Sequence, residues 1–132
     1  SVSLDSVKAV EITAGDYTNI IRKISRTNWI VENLEGETDL EKAFNDFSTL
    51  SLIKASAFVY DVPQRIERLF RIPDAVVNLY MQDNTKITYQ LAYDIDNKIY
   101  AKPESGIIYE VDYSIYDAAM RGKEYYKKSD SD

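Results

Sequence analysis

Apolar and polar residues alternate along most of the chain, and this pattern predicts a protein built mainly from β-strands. Near the N-terminus three alternating runs follow one another and are joined by short turns, the first of them at Gly15. Glycine suits such a turn because it adopts positive φ without strain. The runs predict a meander of three strands at about 7–13, 17–25 and 28–33.

The next segment changes from a strand period to a helix period. Thr38 is placed to cap a first turn, and Glu41 is placed to reach back to it, as in a capping box. The apolar residues that follow share one helical face; they are Leu40, Ala43, Phe44, Phe47 and Leu50. We predict the main helix here, fading at 51–56. Residues 57–62 are either a short strand or an extended link, and Pro63 opens a short helix through 70.

The second half of the chain returns to alternation. Four runs joined by short turns predict antiparallel neighbours; they span 75–82, 86–94, 98–104 and 106–113. A last short helix is predicted at 114–122, with Ser114 as its cap and Gly122 as its stop.

This segregation of strands and helices predicts the fold class. The order β-β-β-α-α-β-β-β-β-α favours an α+β fold, with an antiparallel sheet of about seven strands and one main helix packed on a face. A chain of 132 residues, 45% of them apolar, suits one domain over 1–132. Its compact part is predicted at about 7–122, between a polar lead-in and a charged, frayed tail.

The charge balance excludes some partners. The chain has 22 acidic and 16 basic residues, which gives a net charge of −6. Nucleic acids and anionic lipids both require a basic surface, so neither is a predicted partner. No run approaches the ~20 apolar residues of a membrane span. Since the chain starts at Ser1 without a methionine, we expect that a signal or anchor upstream was removed.

Seven segments, in order, cover most of the chain; they are "VEIT", "IRKISRTNWIVEN", "TDLEKAFNDFSTLSLIKASAFV", "RLFRIPDAVVNLYMQD", "ITYQLAYD", "IYAKPE" and "IIYEVD". Their order and spacing over about 7–120 resemble the bacterial domain of unknown function 4340. Two places depart from that family: Arg71-Ile72 stands where Gly-Leu is frequent, and Tyr93 stands near a frequent glycine. The resemblance implies an extracytoplasmic module on a membrane-anchored bacterial protein, frequently beside ABC-type transporter components. It supplies no catalytic residues.

The residue inventory offers little for catalysis. The chain has no histidine and no cysteine, which excludes a Ser–His–Asp relay, a thiolate nucleophile and the usual zinc ligands. Asp94, Asp96 and Asn97 begin like a calcium loop, but Lys98 and Ile99 occupy the positions of the next ligand and the glycine. A hairpin turn is the favoured interpretation of this stretch.

Glu110 and Asp112 share one face of a predicted strand and could form a glycosidase-like carboxylate pair. The simpler interpretation is a solvent-facing side of the strand, because Tyr109 and Val111 then point to the core. We therefore predict no catalytic residue, no metal and no cofactor.

The 11 tyrosines are the most unusual feature of the composition. Tyr89 and Tyr93 share one strand face, and Tyr109 and Tyr113 share another. Packing beneath a helix is the favoured interpretation, and an exposed aromatic platform for a sugar or peptide is the alternative. Trp29 lies in an apolar run and is either a core residue or an interface residue, with the core favoured.

Five residues stand out as candidate surface contacts. Tyr80 and Tyr100 have the opposite phase to the apolar residues of their strands, which predicts that they face solvent. Arg65, Arg68 and Arg71 form a basic stripe that could dock an acidic partner, although a solvated face is the favoured interpretation.

Together these features predict a non-catalytic, extracytoplasmic interaction module of a bacterial envelope protein. Its expected partner is a membrane component of an ABC-type transporter or a second copy of the chain, recognised by shape and at an open strand edge. The alternative is a module that binds a wall polysaccharide or a small ligand through surface tyrosines, and it predicts exposed, parallel aromatic rings in a groove. An enzyme is the third hypothesis, and it requires converging carboxylates in a cleft.

Overall fold

Each half of the sheet is an antiparallel meander that is followed by a helix. The computed structural model describes residues 2–129. Within that range there are three α-helices, α1 (Leu40–Ser51), α2 (Gln64–Leu69) and α3 (Tyr113–Ala119). The strands in the same range are β1 (Val7–Ala14), β2 (Tyr17–Ser25), β3 (Asn28–Val31), β4 (Ala57–Phe58), β5 (Ala75–Met81), β6 (Lys86–Asp94), β7 (Lys98–Pro103) and β8 (Tyr109–Val111).

All eight strands described within residues 2–129 form one antiparallel sheet, in the order β3-β2-β1-β5-β6-β7-β8-β4. The two meanders meet at the central pair of β1 and β5, where Val10 lies opposite Leu79. The hairpin from β1 to β2 turns at Gly15, whose φ of 62° lies in the left-handed region. β4 and β3 are therefore the two edges of the sheet.

The predicted α+β class is confirmed, and strands 17–25 and 86–94 have the predicted ends. The described residues contain eight strands rather than about seven, because 57–58 pairs with β8 and extends the sheet. Residues 28–33 and 106–113 form shorter strands than predicted. Local alternation marks a strand, whereas its ends depend on where its partner stops.

The main core lies on one side of the sheet, here called the helix face, beneath α1 and α3. Ala43, Phe47 and Leu50 of α1 are fully buried, as their helical spacing predicts. Leu40 and Phe44 lie at the margin of the same stripe and are 47% and 36% exposed. The apolar face of α1 is thus wider than the sheet surface that it covers.

A second, smaller cluster lies on the opposite face of the sheet, beneath α2. Ile66 and Phe70 from this helix segment pack with Ala92, Tyr100 and Ile108. Helices therefore cover both faces of β6–β8. In residues 2–129 no helix covers the opposite face of β1, β2 and β5.

Both predicted helix caps are wrong by one or two residues. Asp39, not Thr38, caps α1 by accepting from the Lys42 amide at 3.1 Å. Likewise Asp112, not Ser114, caps α3 by accepting from the Ser114 amide at 3.0 Å. Hydrogen bonds from the Ser114 side chain and amide lower the pKa of Asp112. Asp competes well at both positions because its carboxylate suits a helix start.

The C-terminal segment is not a frayed tail, and the compact part extends beyond the predicted 122. α3 ends at Ala119 rather than at Gly122, and residues Lys123–Tyr126 form a 3-10 turn. Tyr126 is fully buried in the main core. At the other end Val2 and Leu4 also pack against this core. Ser1 of the predicted lead-in and residues 130–132 of the predicted tail lie outside the described residues.

Candidate functional site

Tyr80 lies on the open part of the opposite face, where its sequence phase placed it. Its ring is half-buried, and its hydroxyl donates to Oε1 of Glu11 at 3.2 Å. Asn78 donates to the same oxygen at 2.8 Å. Burial raises the pKa of Tyr80, and the neighbouring Glu11 carboxylate adds to the effect. Tyr80 is therefore part of a polar network on an accessible sheet face.

Tyr100 is buried, so its predicted role as a surface contact is wrong. Only 5% of the residue is exposed, because α2 covers the face of β7 on which it lies. The alternation of the strand gave the correct face, but solvent does not reach this part of that face. Tyr100 is a core residue.

The predicted arginine stripe is divided between two roles. Arg65 donates to both carboxylate oxygens of the buried Asp94 at 2.7 Å, and this pairing lowers the pKa of Asp94 and raises that of Arg65. Arg68 and Arg71 are exposed and line a depression of about 380 Å³ beside α2. Among the described residues no hydrogen bond or ion pair joins these arginines to Tyr80, so the predicted contacts do not form one site.

The other tyrosines singled out by the sequence are also divided, into buried and partly exposed residues. Tyr89 is buried, and its hydroxyl donates to the Leu50 carbonyl at 2.7 Å, which ties the sheet to the end of α1. Tyr93, Tyr113 and Tyr116 form a partly exposed cluster at one end of the sheet. Their rings are inclined by 43° to 79° to one another. This cluster lacks the parallel rings that the glycan-binding alternative predicts.

A groove of about 1120 Å³ runs beside β3, the first edge of the sheet. Residues 28–32 form one side of this groove, here called the β3 groove. The loop 33–37 and the start of α1 form the rest, with Lys128 at the margin. Asn33 and Gly36 have positive φ, at 61° and 96°, and so let the loop turn back beside the strand.

Within the described part of the chain, the outer edge of β3 carries unpaired backbone groups. The Glu32 amide donates to Ile20 of β2 at 2.9 Å, so by alternation the amides of Trp29 and Val31 point away from β2. The Val31 amide donates to Oγ1 of Thr38 at 3.3 Å. The amide and carbonyl of Trp29 are left facing the groove, where an added strand would pair with them.

The lining of the β3 groove is acidic. Four carboxylates, from Glu32, Glu37, Asp39 and Glu41, face a single ammonium from Lys128. Glu32 is paired with Arg22 at 2.7 Å, and Glu37 lies 3.8 Å from Lys128. The Asp39 carboxylate caps α1, and Glu41 has no ion pair within residues 2–129. The groove therefore has a negative potential that favours cationic ligands.

Trp29 connects the groove to the core. Its residue is 7% exposed, and its ring contacts Phe44 edge-on with 4.8 Å between centroids. Within the described residues its indole Nε1 is buried without a hydrogen-bond partner. The Trp29 side chain thus has the favoured core position, while its backbone lies at the open edge of the sheet.

The C-terminal segment supports the groove from behind. The Asp39 amide donates to the Tyr126 carbonyl, and the Lys128 amide donates to the Glu37 carbonyl, both at 2.8 Å. Tyr126 is in turn hydrogen-bonded to the buried Asp46 of α1. The position of the segment 37–39 in the groove therefore depends on residues 126–128, far later in the chain.

Sequence reasoning missed this groove. A signal was present, since five of the ten residues from 32 to 41 are acidic. Such a concentration next to a predicted strand marks a candidate binding surface.

Comparisons with known proteins give no family assignment: no family model, no curated protein and no solved structure matches this chain. The resemblance inferred from the sequence stays a prediction. No helix within residues 2–129 is long and apolar enough to cross a membrane. The same residues contain no cluster of three or more carboxylates placed to hold a metal ion.

Proposed function

We propose that this domain is a non-catalytic interaction module that captures an extended, basic segment of a partner protein in the β3 groove. The observation that carries the proposal is an open strand edge inside an acidic groove. The partner segment would add a strand beside β3 and pair with the backbone of Trp29.

Strand addition suits this groove for two physical reasons. Main-chain hydrogen bonds provide affinity for any extended segment, and side-chain contacts select among them. Here the selecting groups are carboxylates, so lysine or arginine at alternate positions is the expected signature. The same charge disfavours a second copy of the chain at this edge, because two acidic linings would repel each other.

The proposed setting is the bacterial cell envelope, outside the cytoplasmic membrane, with a membrane component of an ABC-type transporter as the partner. This part of the proposal rests on the sequence resemblance alone. A non-catalytic role is supported by the lack of histidine and cysteine in the chain and by carboxylates that cap helices or pair with arginines.

The test is a titration followed by tryptophan fluorescence. Trp29 is the single tryptophan, so its emission reports on the groove wall. The probe is an acetylated, amidated peptide of alternating lysine and valine, compared with one of alternating glutamate and valine. We expect saturable binding of the lysine peptide only, weakened by salt. Equal binding of both peptides, or of neither, would contradict the proposal.

Charge reversal provides the matched control. The variant Glu37→Lys/Glu41→Lys should weaken binding at least about tenfold. The control Glu67→Lys/Glu104→Lys makes the same change in net charge. It also matches the loss of the Glu37–Lys128 ion pair, because Glu67 is paired with Lys102 at 3.6 Å. The control should bind like the wild type. Equal losses in both variants would mean that the overall charge, not the groove, attracts the peptide.

Location needs a separate measurement. The outer barrier of the bacterial cells is opened while the cytoplasmic membrane stays intact. Added protease should then digest the protein but not a cytoplasmic marker. Protection equal to that of the marker would reject the envelope setting and leave the groove proposal unaffected.

A further inference from the structure

A second concave surface lies beside the C-terminal end of α1 and is here called the α1-end depression. It has a volume of about 280 Å³ and lies between residues 51–54 and the helix face of the sheet, with Val2 also in its lining. Its floor consists of side chains from four strands; they are Leu79, Ile87, Tyr89, Pro103 and Tyr109. The β3 groove is lined by the start of the same helix, so the two surfaces are separate.

The charge of the α1-end depression comes from one side chain. Lys54 is the one charged residue among the described residues that line it. This lysine is exposed, and its ammonium makes no ion pair within residues 2–129. Glu110 follows Tyr109 along β8, so by alternation its carboxylate lies on the opposite face of the sheet. An unpaired ammonium beside an apolar concave surface favours a ligand that has an anionic group and an apolar body.

A buried hydroxyl lies three residues before this lysine. Ser51 is the last residue of α1 and is 1% exposed, and its Oγ has no hydrogen-bond partner among the described residues. A serine in a helix can donate to the carbonyl four residues earlier, but Ser51 does not. Because a buried polar group without a partner is destabilising, a ligand that accepts this hydrogen bond gains affinity.

We propose that the α1-end depression binds a small monocarboxylic acid with an aliphatic chain of medium length. The carboxylate accepts hydrogen bonds from Lys54 and Ser51, and the chain covers Leu79 and Ile87. A cavity of about 150 Å³ holds benzene, so the depression has room for roughly ten non-hydrogen atoms. Octanoate has this size. The inference does not rest on the function proposed for the β3 groove.

Two long-range effects oppose an anion at this place. The C-terminal end of a helix carries a partial negative charge, and the chain has a net charge of −6. The first effect is reduced because the Tyr89 hydroxyl already donates to the Leu50 carbonyl, and salt screens the second. Direct hydrogen bonds from a charged donor act at short range and are stronger. Lys54 is therefore the residue on which binding of the carboxylate depends most.

The test is an NMR titration of the isotope-labelled protein with octanoate near neutral pH. We expect saturable shifts of the amide signals of residues 51–54, with a Kd of about 1 mM or below for a ligand of this size. The signals of residues 28–32 should not move. Octanol should bind more weakly, because it has no charge for Lys54. The absence of saturable binding, or shifts confined to other parts of the chain, overturns the proposal.

A series of carboxylic acids from butanoate to dodecanoate tests the size of the site. The affinity should increase by up to about fourfold per methylene and level off near octanoate, once the depression is full. An affinity that keeps increasing with chain length would show adsorption to exposed apolar surface and would overturn the proposal.

A lysine substitution tests the charge. Lys54→Met keeps most of the side-chain length and should raise the Kd for octanoate at least about threefold, while the Kd for octanol stays the same. Lys86→Met is the matched control, since Lys86 is exposed, makes no ion pair in the described part of the chain and lies on the opposite face of β6. It should bind octanoate like the wild type. Equal losses in the two variants would mean that overall charge attracts the ligand.

Two further variants test the hydroxyl and the apolar floor. Ser51→Ala should weaken octanoate binding about twofold or more without lowering the free energy of unfolding, because the hydroxyl has no partner to lose. Unchanged binding overturns the role of Ser51. Ile87→Trp fills the depression and should abolish binding of octanoate and octanol, whereas Ile24→Trp, at a site on β2 that is 51% exposed, should bind normally. Circular dichroism verifies that each variant is folded, and binding that survives Ile87→Trp overturns the proposal.

Discussion

The phenol of Tyr126 donates a 2.8 Å hydrogen bond to Oδ2 of Asp46, and both residues are buried. The contact joins the C-terminal segment to α1. Burial raises the pKa of Asp46, while the hydrogen bond from Tyr126 and the charge of Arg121 act in the opposite direction. Burial also raises the pKa of Tyr126, and the carboxylate adds to this effect. The pair therefore stabilises the fold only while its hydrogen bond is intact.

Removing the Tyr126 hydroxyl should destabilise the whole domain. Among the described residues, the buried carboxylate in Tyr126→Phe keeps only Arg121, at 3.4 Å, so we expect a loss of about 1–3 kcal/mol in the free energy of unfolding. Urea denaturation measures this loss. Tyr125→Phe is the matched control, because its half-buried ring makes no hydrogen bond through the hydroxyl in residues 2–129, and it should cost about 0.5 kcal/mol or less. Equal losses would show that the hydrogen bond is unimportant.

The raised pKa of Asp46 gives a pH dependence with a defined sign. Between its unfolded pKa, near ~4, and its raised folded pKa, the folded state binds more protons than the unfolded state. Its contribution to stability is therefore greatest at low pH and falls as the pH rises through that window. The free energy of unfolding of wild type relative to Asp46→Asn should fall over the same window. Urea denaturation over a pH series checks this, and a flat difference would contradict it.

The contribution of Asp94 to stability should depend on pH with the opposite sign. The hydrogen bonds from Arg65 lower its pKa despite its burial, so its contribution is present above about pH 4 and is lost as the pH falls through the lowered folded pKa. The difference between wild type and Asp94→Asn should therefore grow as the pH rises. At neutral pH Arg65→Ala should lower the free energy of unfolding, because the carboxylate loses a charged partner. A neutral effect of Arg65→Ala would show that solvent replaces the arginine.

Substitutions of Tyr100 and Tyr80 should differ in their cost to stability, because the first residue is in the core and the second is on an open face. Tyr100→Ala empties a site beneath α2 and should cost about 3–5 kcal/mol, as for other buried aromatic residues. Tyr80→Ala removes a half-buried ring from an open face and should cost about 1 kcal/mol. Thermal or urea denaturation of the two variants measures the contrast. Similar costs would mean that the two sides of the opposite face are equally covered.

The sequence by itself determined the local elements. The ends of β2 and β6 follow from turn residues at both ends of each strand, and the start of α2 follows from Pro63. The buried stripe of Ala43, Phe47 and Leu50 follows from helical spacing alone. Each of these features depends on interactions among neighbours in the chain, so a single sequence is enough to predict them.

Only the tertiary structure decided which surfaces are covered. Tyr80 and Tyr100 have the same phase in their strands, yet one is accessible and the other is buried, because α2 docks over β7 and not over β5. Tyr126 is in a charged stretch, yet it fills the core because Asp46 offers it a partner. The β3 groove likewise requires the segment 37–39 to be held by residues 126–128. Contacts between distant parts of the chain set these features, and alternation along a strand carries no information about them.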